Sequence, residues 1–198
     1  MMVDIYLVGV GGQGIITASK IIGDAAIIGE KNVLLSETHG MAQRGGSVVC
    51  TARIGDVQSS LIPDGHADLI LSFEALETVR ALCKANNRTV VVTSTERIVP
   101  LSVYSQKLKY PTIEEIKIMV EKVAKRLLPI DARKLAEESA VPMSSNIVMV
   151  GALAGTGMTG LERRHFEKAI EMNISRLVPE NLDAFAKGFE ATSMWNRS

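Results

Sequence analysis

Residues Tyr6 to Gly14 read Tyr-Leu-Val-Gly-Val-Gly-Gly-Gln-Gly, and Gly9, Gly11 and Gly14 fall at the spacing G-x-G-x-x-G. Glycines so placed let the backbone turn tightly and expose amide N–H groups at the start of the next helix. Such a turn, completed by Gly12 and Gln13, accepts an anion or a closely approaching partner chain equally well. A second polar run follows as Glu37-Thr38-His39-Gly40-Met41-Ala42-Gln43-Arg44-Gly45-Gly46. It gathers an acid, an imidazole, a guanidinium and several glycines between two strand candidates, the composition of a recognition surface. Arg44 offers a bidentate contact to a phosphate or carboxylate, and Gly45 and Gly46 leave backbone donors accessible. His39 is either a proton donor or a loop-fixing imidazole, and Met41 is an adaptable apolar contact.

Several reaction classes are tested by these residues. A dinucleotide site requires an acid at the end of the second strand to hold a ribose hydroxyl, and Glu37 stands there, so an NAD- or FAD-binding oxidoreductase is one reading. A phosphate-binding P-loop fails, because Gly14 is followed by Ile15 and Ile16 instead of Lys and Ser or Thr. There is no G-x-S-x-G turn for a serine nucleophile, and His39, His66 and His165 lack companion ligands at short spacing. Cys50 and Cys83 are the only cysteines, too few for a four-thiolate cluster and too far apart for a redox C-x-x-C. Both are expected to be buried structural thiols.

Lys plus Arg and Asp plus Glu both total 22, so no global positive field draws this chain to nucleic acid. No apolar run approaches the length of about 18 residues that a membrane span needs, and the first residues lack the basic flank of an export signal. A cytoplasmic, reducing location is expected, with neither membrane nor nucleic acid as partner.

The elements that must hold these loops follow from periodicity. Val3 to Val8 is an apolar strand, and Gln13 to Ile28 carries Ile15, Ala18, Ile22, Ala25 and Ala26 at helical spacing. Asn32 to Ser36 supplies a second strand, making a βαβ unit with parallel strands, and Ser47 to Ile54 a third. The runs Ala67 to Phe73 and Thr89 to Thr93 read as buried parallel strands, the first followed by a helix from Glu74, giving about five strands up to this point in the chain. Thr112 and Glu115 form a capping box ahead of a stripe at Ile113, Ile116, Val120, Val123 and Leu127. Leu128 to Asp131 is a short strand and Ala132 to Ser139 a short helix. Asn146 to Ala154 is a buried helix whose neighbour approaches at Gly151 and Gly155. Thr159 and Glu162 open a helix with Phe166, Ile170, Ile174 and Leu177 inward, and Pro179 starts a last one with Leu182, Phe185 and Phe189 inward. The expectation is an α/β fold: one three-layer α/β/α Rossmann-like domain over residues 1–198, with a mainly parallel sheet and a helical C-terminal segment.

The strings Val8 to Gly14 and Glu37 to Ser47 together resemble the gamma-type subunit of 2-oxoacid:ferredoxin oxidoreductases, and the similarity continues through Asn146 to Gly155 and Asn181 to Gly188. That resemblance implies a complex that decarboxylates an arylpyruvate, passes the acyl group to coenzyme A and delivers electrons to ferredoxin. It implies that thiamine diphosphate, magnesium and iron–sulfur clusters sit on a large (alpha) partner subunit, that this chain carries no cofactor, and that it is inactive alone. Gly9, Gly11, Gly12, Gln13, Gly14 and the loop residues Glu37, Thr38, His39, Gly40, Met41, Gln43, Arg44, Gly45 and Gly46 would then face substrate, coenzyme A or the partner. No proton-transfer step falls to His39 or Glu37. A noncatalytic assembly module remains open beside the dinucleotide reading.

Overall fold

The computed structural model describes residues 2–39, 46–98 and 110–197. The described strands form one six-stranded sheet: β1 (Val3–Val10), β2 (Val33–His39), β3 (Ser47–Ile54), β4 (Leu69–Ser72), β5 (Val90–Ser94) and β6 (Arg126–Ile130), in the order β2-β3-β1-β4-β5-β6. The pairs β1–β4, β4–β5 and β5–β6 are parallel, whereas β3 runs antiparallel to both β1 and β2. The sheet is therefore mainly parallel, as expected, with one reversed strand. One expectation is corrected here. β1 and β2 point the same way but do not neighbour each other, because β3 returns between them. The loop from β2 to β3 is short enough for hairpin pairing, which satisfies both strands' backbone groups locally.

Helices cover both faces. On one side lie α1 (Ile15–Ile28), α4 (Ala132–Glu138), α5 (Ser145–Gly155), α6 (Arg163–Asn173) and α7 (Val178–Ser193), sharing a core with Ile5, Leu7, Cys50, Leu69 and Val92. On the other lie α2 (Ala75–Arg80) and α3 (Ile113–Val120), packed on Val8, Ile70 and Val91. The five expected core positions of α1 are all buried. β4 is buried along its whole length, as its unbroken apolar run requires.

The expected capping box of α3 is present in both directions: the Thr112 hydroxyl accepts from the Glu115 amide at 3.2 Å, and the Glu115 carboxylate accepts from the Thr112 amide at 2.7 Å. The helix stops at Val120, however, so Val123 is 42% exposed and Leu127 belongs to β6. Successive apolar residues at helical spacing bridged a helix and the strand after it. α6 is capped by Glu162 with His165, not by Thr159 with Glu162, and Leu177 turns outward at φ 52° as α7 begins. Pro179 occupies the first turn of α7 as expected.

The tightest contact joins α5 and α7. A Cβ at Gly151 would overlap the Phe185 carbonyl, one at Gly155 the Phe189 carbonyl, and one at Gly188 the Val148 carbonyl. Backbone meets backbone without an intervening side chain. Gly188→Ala should therefore lower the stability read by urea unfolding by about 3 kcal/mol, because neither backbone can yield to the methyl group. Thr112→Ala, which removes only a cap, should cost about 1 kcal/mol in the same assay.

Candidate functional site

β1 and β4 are adjacent and parallel, yet the helices that follow them, α1 and α2, leave to opposite faces. Open α/β sheets have a crevice at such a point, at the carboxyl ends of the strands. Here it is a cleft of about 390 Å³. Gly11, Gly12, Gln13 and Gly14 line one wall, Phe73, Ser94, Glu96 and Ile98 another, and Met143, Ser145, Asn146 and Met149 a third.

Gln13 closes the floor between three strands. Its Oε1 accepts from the Val10 amide at 2.8 Å, and its Nε2 donates to the Phe73 carbonyl at 2.7 Å and to the Glu96 carboxylate at 3.2 Å. Gly9 makes room for it: a Cβ there would lie 2.8 Å from Gln13 Oε1 and 2.9 Å from Phe73 Cβ. Gly14 caps α1 in the left-handed conformation, φ 73°, and a Cβ there would press on the Asn146 amide. Gly12 is also left-handed, φ 106°, but faces open space. The glycines thus serve Gln13 packing, helix entry and an open backbone surface respectively.

The two loops singled out from sequence meet at this edge. The Gly11 amide donates to the Gly46 carbonyl at 2.9 Å, and the Ser47 hydroxyl donates to Glu77 of α2 at 2.7 Å. These bonds pin the end of the second loop beside the first. Gly40, Met41, Gln43, Arg44 and Gly45 lie outside the described residues, as does the His39 side chain. Glu37 and Thr38 are exposed on the edge strand β2. Glu37 is level with Cys50, which is level with Leu7. Two strand spacings of about 4.8 Å each separate it from β1, and its register is two residues short of Gly9. That is the wrong position for a ribose acid, which requires the second strand beside the first.

Glu74 holds the neighbouring wall. Its carboxylate caps α2 through the Leu76 and Glu77 amides at 2.7 and 3.0 Å, and also accepts from the Ile98 amide at 3.0 Å and from the Tyr110 hydroxyl. Burial, reinforced by that carboxylate, pushes the Tyr110 phenol well above its ordinary range. Tyr110 is thus held as a donor to Glu74. Sequence reasoning missed Glu96, Phe73, Met143 and Asn146. Their signal was positional: Glu96 and Phe73 follow central parallel strands, Met143 precedes an apolar helix and Asn146 lies in its first turn.

Cys50 is buried, as expected, and burial raises its thiol to about 11, with Glu37 adding to the shift and Ser19 opposing it. Cys83 is exposed, against expectation, because a short 3₁₀ turn (Ala81–Lys84) replaces the continuing helix. Two thiols cannot complete a four-thiolate cluster, and no group of three or more His, Cys, Asp or Glu among the described residues is placed to hold a metal. The donor set does not fit a four-thiolate iron–sulfur centre.

Two outcomes follow from this geometry. Gln13→Ala should cost about 2 kcal/mol in urea unfolding, since it strands the Val10 amide and the Phe73 carbonyl, and Gln13→Glu should cost more by setting a second carboxylate beside Glu96. In the native chain at pH 8 a disulfide reagent should titrate Cys83 quickly and Cys50 only on unfolding.

The profile of the pyruvate ferredoxin/flavodoxin oxidoreductase family matches residues 4–191. The indolepyruvate oxidoreductase subunit IorB of Methanothermobacter thermautotrophicus is 44% identical over 98% of this chain and 99% of its own length, and that of Archaeoglobus fulgidus 42% identical over 96% and 94%. In the solved structure of the 2-oxoglutarate:ferredoxin oxidoreductase of Magnetococcus marinus, 31% of one chain superimposes on 98% of this one, with a TM-score of 0.73 and 20% identity. The fold matches that of known oxidoreductase subunits, and the chain belongs to the pyruvate ferredoxin/flavodoxin oxidoreductase family, on its indolepyruvate oxidoreductase branch.

Proposed function

We propose that this chain, acting as one domain over residues 1–198, is the subunit without cofactors of an indolepyruvate (arylpyruvate):ferredoxin oxidoreductase. The observation that carries the reading is the near-full-length identity to two indolepyruvate oxidoreductase subunits. In this reading a large cytoplasmic partner subunit holds thiamine diphosphate, magnesium and iron–sulfur clusters, and those groups supply the decarboxylation and electron transfer to ferredoxin. This chain's part is to complete the site. The glycine turn and the Glu37 to Gly46 loop face the partner and line the approach of 2-oxoacid or coenzyme A, with Arg44 as the cation.

An apolar rim supports a protein contact at this edge. Met143, at the mouth of the cleft, is 94% exposed, and Ile16, in the first turn of α1, is 39% exposed. Both are better suited to a covering subunit than to water. The NAD reading loses its ribose acid through the position of β3 between β1 and β2. No helix among the described residues is long and apolar enough to cross a membrane.

Coexpression with the large subunit should give arylpyruvate- and coenzyme A-dependent reduction of a viologen dye, while the chain alone gives none. Arg44→Ala should lower kcat/KM of the assembled complex by about tenfold or more, the effect of removing one charge-assisted contact. An unchanged rate in a fully assembled variant would take Arg44 out of the site. Calorimetric titration of the chain with NAD(H) should show no binding.

A further inference from the structure

The two edges of the sheet are built differently. β6 is five residues long, begins on Arg126 and carries Pro129, which has no N–H to offer a further strand. β2, at the other edge, pairs with β3 through seven consecutive residues without a bulge and contains no lysine, arginine or proline. Among the described residues nothing pairs with its outer side. The described residues that flank 40–45 and 99–109, namely His39, Gly46, Ile98 and Tyr110, stand at the carboxyl edge, whereas Leu34 is level with Arg53 and so with Asp4, at the opposite end. The flank of β2 is apolar. Leu35 lies over Gly23 of α1, where a Cβ would stand 2.7 Å from its Cδ1, and is still 40% exposed. Ile27, one turn further along the same face of α1, is 64% exposed. A long, flat, apolar edge is a template for another strand.

The side chains along β2 say which strand. An antiparallel copy of β2, related by a two-fold axis through Leu34, sets Leu34 opposite Leu34, Val33 opposite Leu35, Asn32 opposite Ser36 and Lys31 opposite Glu37. Apolar meets apolar, polar meets polar and ammonium meets carboxylate. Lys31 spends two of its three donors on the Thr159 and Gly160 carbonyls, at 3.4 and 2.7 Å, which leaves one for the acid. Neighbouring registers lose this match: an axis at Leu35 sets Val33 against Glu37, and one at Ser36 sets Leu35 against Glu37. We propose that β2 pairs antiparallel with β2 of a second copy of this chain about a two-fold axis at Leu34, joining the two six-stranded sheets into one. The carboxyl edges then point away from each other, so each glycine turn stays open to a large subunit. The dimer does not depend on the functional reading above.

Sedimentation of the full chain should show a dimer. Glu37→Lys and Lys31→Glu each set like charges opposite one another at both ends of the ladder, and each should weaken the dimer by about tenfold. An equimolar mixture of the two variants restores both opposite-charge pairs in the heterodimer and should regain most of that loss. A monomer at about 100 μM, single reversals without effect, or a mixture no tighter than its components would overturn the proposal. The register is read without changing a charge. In a Cys83→Ser background, Leu34→Cys brings two thiols together at the axis and should oxidise to a covalent dimer, both in the full chain and in the complex coexpressed with the large subunit. Ser36→Cys, whose two copies stand four residues apart along the ladder, about 13 Å, should not. Equal cross-linking at both positions would overturn the register, and a Leu34→Cys chain that cross-links to the large subunit instead of to its own copy would give the edge to that partner and overturn the dimer.

Discussion

The carboxyl edge of this sheet depends on one side-chain amide. Two neighbouring parallel strands send their helices to opposite faces, and the divergence opens a gap in which backbone groups of β1 and β4 would otherwise be left without partners. Gln13 fills it with one acceptor and two donors, reaching Val10, Phe73 and Glu96. A glutamine can do this because its amide offers both signs of hydrogen bond from one plane; an acid or a base offers only one. The glycine at position 9 is the steric counterpart of that choice. Turn, floor and cleft wall are thus one arrangement, and the walls cannot be moved apart without breaking the Gln13 hydrogen bonds.

Much of this was legible in the chain itself. β3 and the cap of α3 fall where periodicity and the Thr112–Glu115 spacing put them, and Gly151 and Gly155 mark a close helix contact correctly. These are local signals, each set by a few neighbouring residues. The sheet order was not legible, because whether β3 pairs outside β2 or slips between β2 and β1 is decided by long-range pairing that leaves no trace in alternation. The exposure of Cys83 escaped for a related reason: a helical pattern says which residues share a face, but not where the helix tightens into a 3₁₀ turn.

For the site, the two glycine-bearing loops were visible as composition, and the Gly11 to Gly46 hydrogen bond joins them. Their meaning was ambiguous until strand order was known. Glu37 stands at the end of the second strand in sequence, as a dinucleotide site requires, but the return strand carries that position away from β1. The third wall, from Met143 to Met149, comes from a segment more than 120 residues downstream of the glycine turn, and nothing near the turn foretells it.

The glycine-lined contact between α5 and α7 has a consequence for the order of events during synthesis. α5 is complete at residue 155, but the surface it must cover is α7, which begins at residue 178. A ribosome adding about 5–20 residues per second therefore leaves α5, with its almost wholly apolar face, waiting for its partner for a second or more. During that interval the helix that forms one wall of the cleft is uncovered on one side. The site at the carboxyl edge is laid down early in the chain but gains its final wall late, once α7 is there to cover α5.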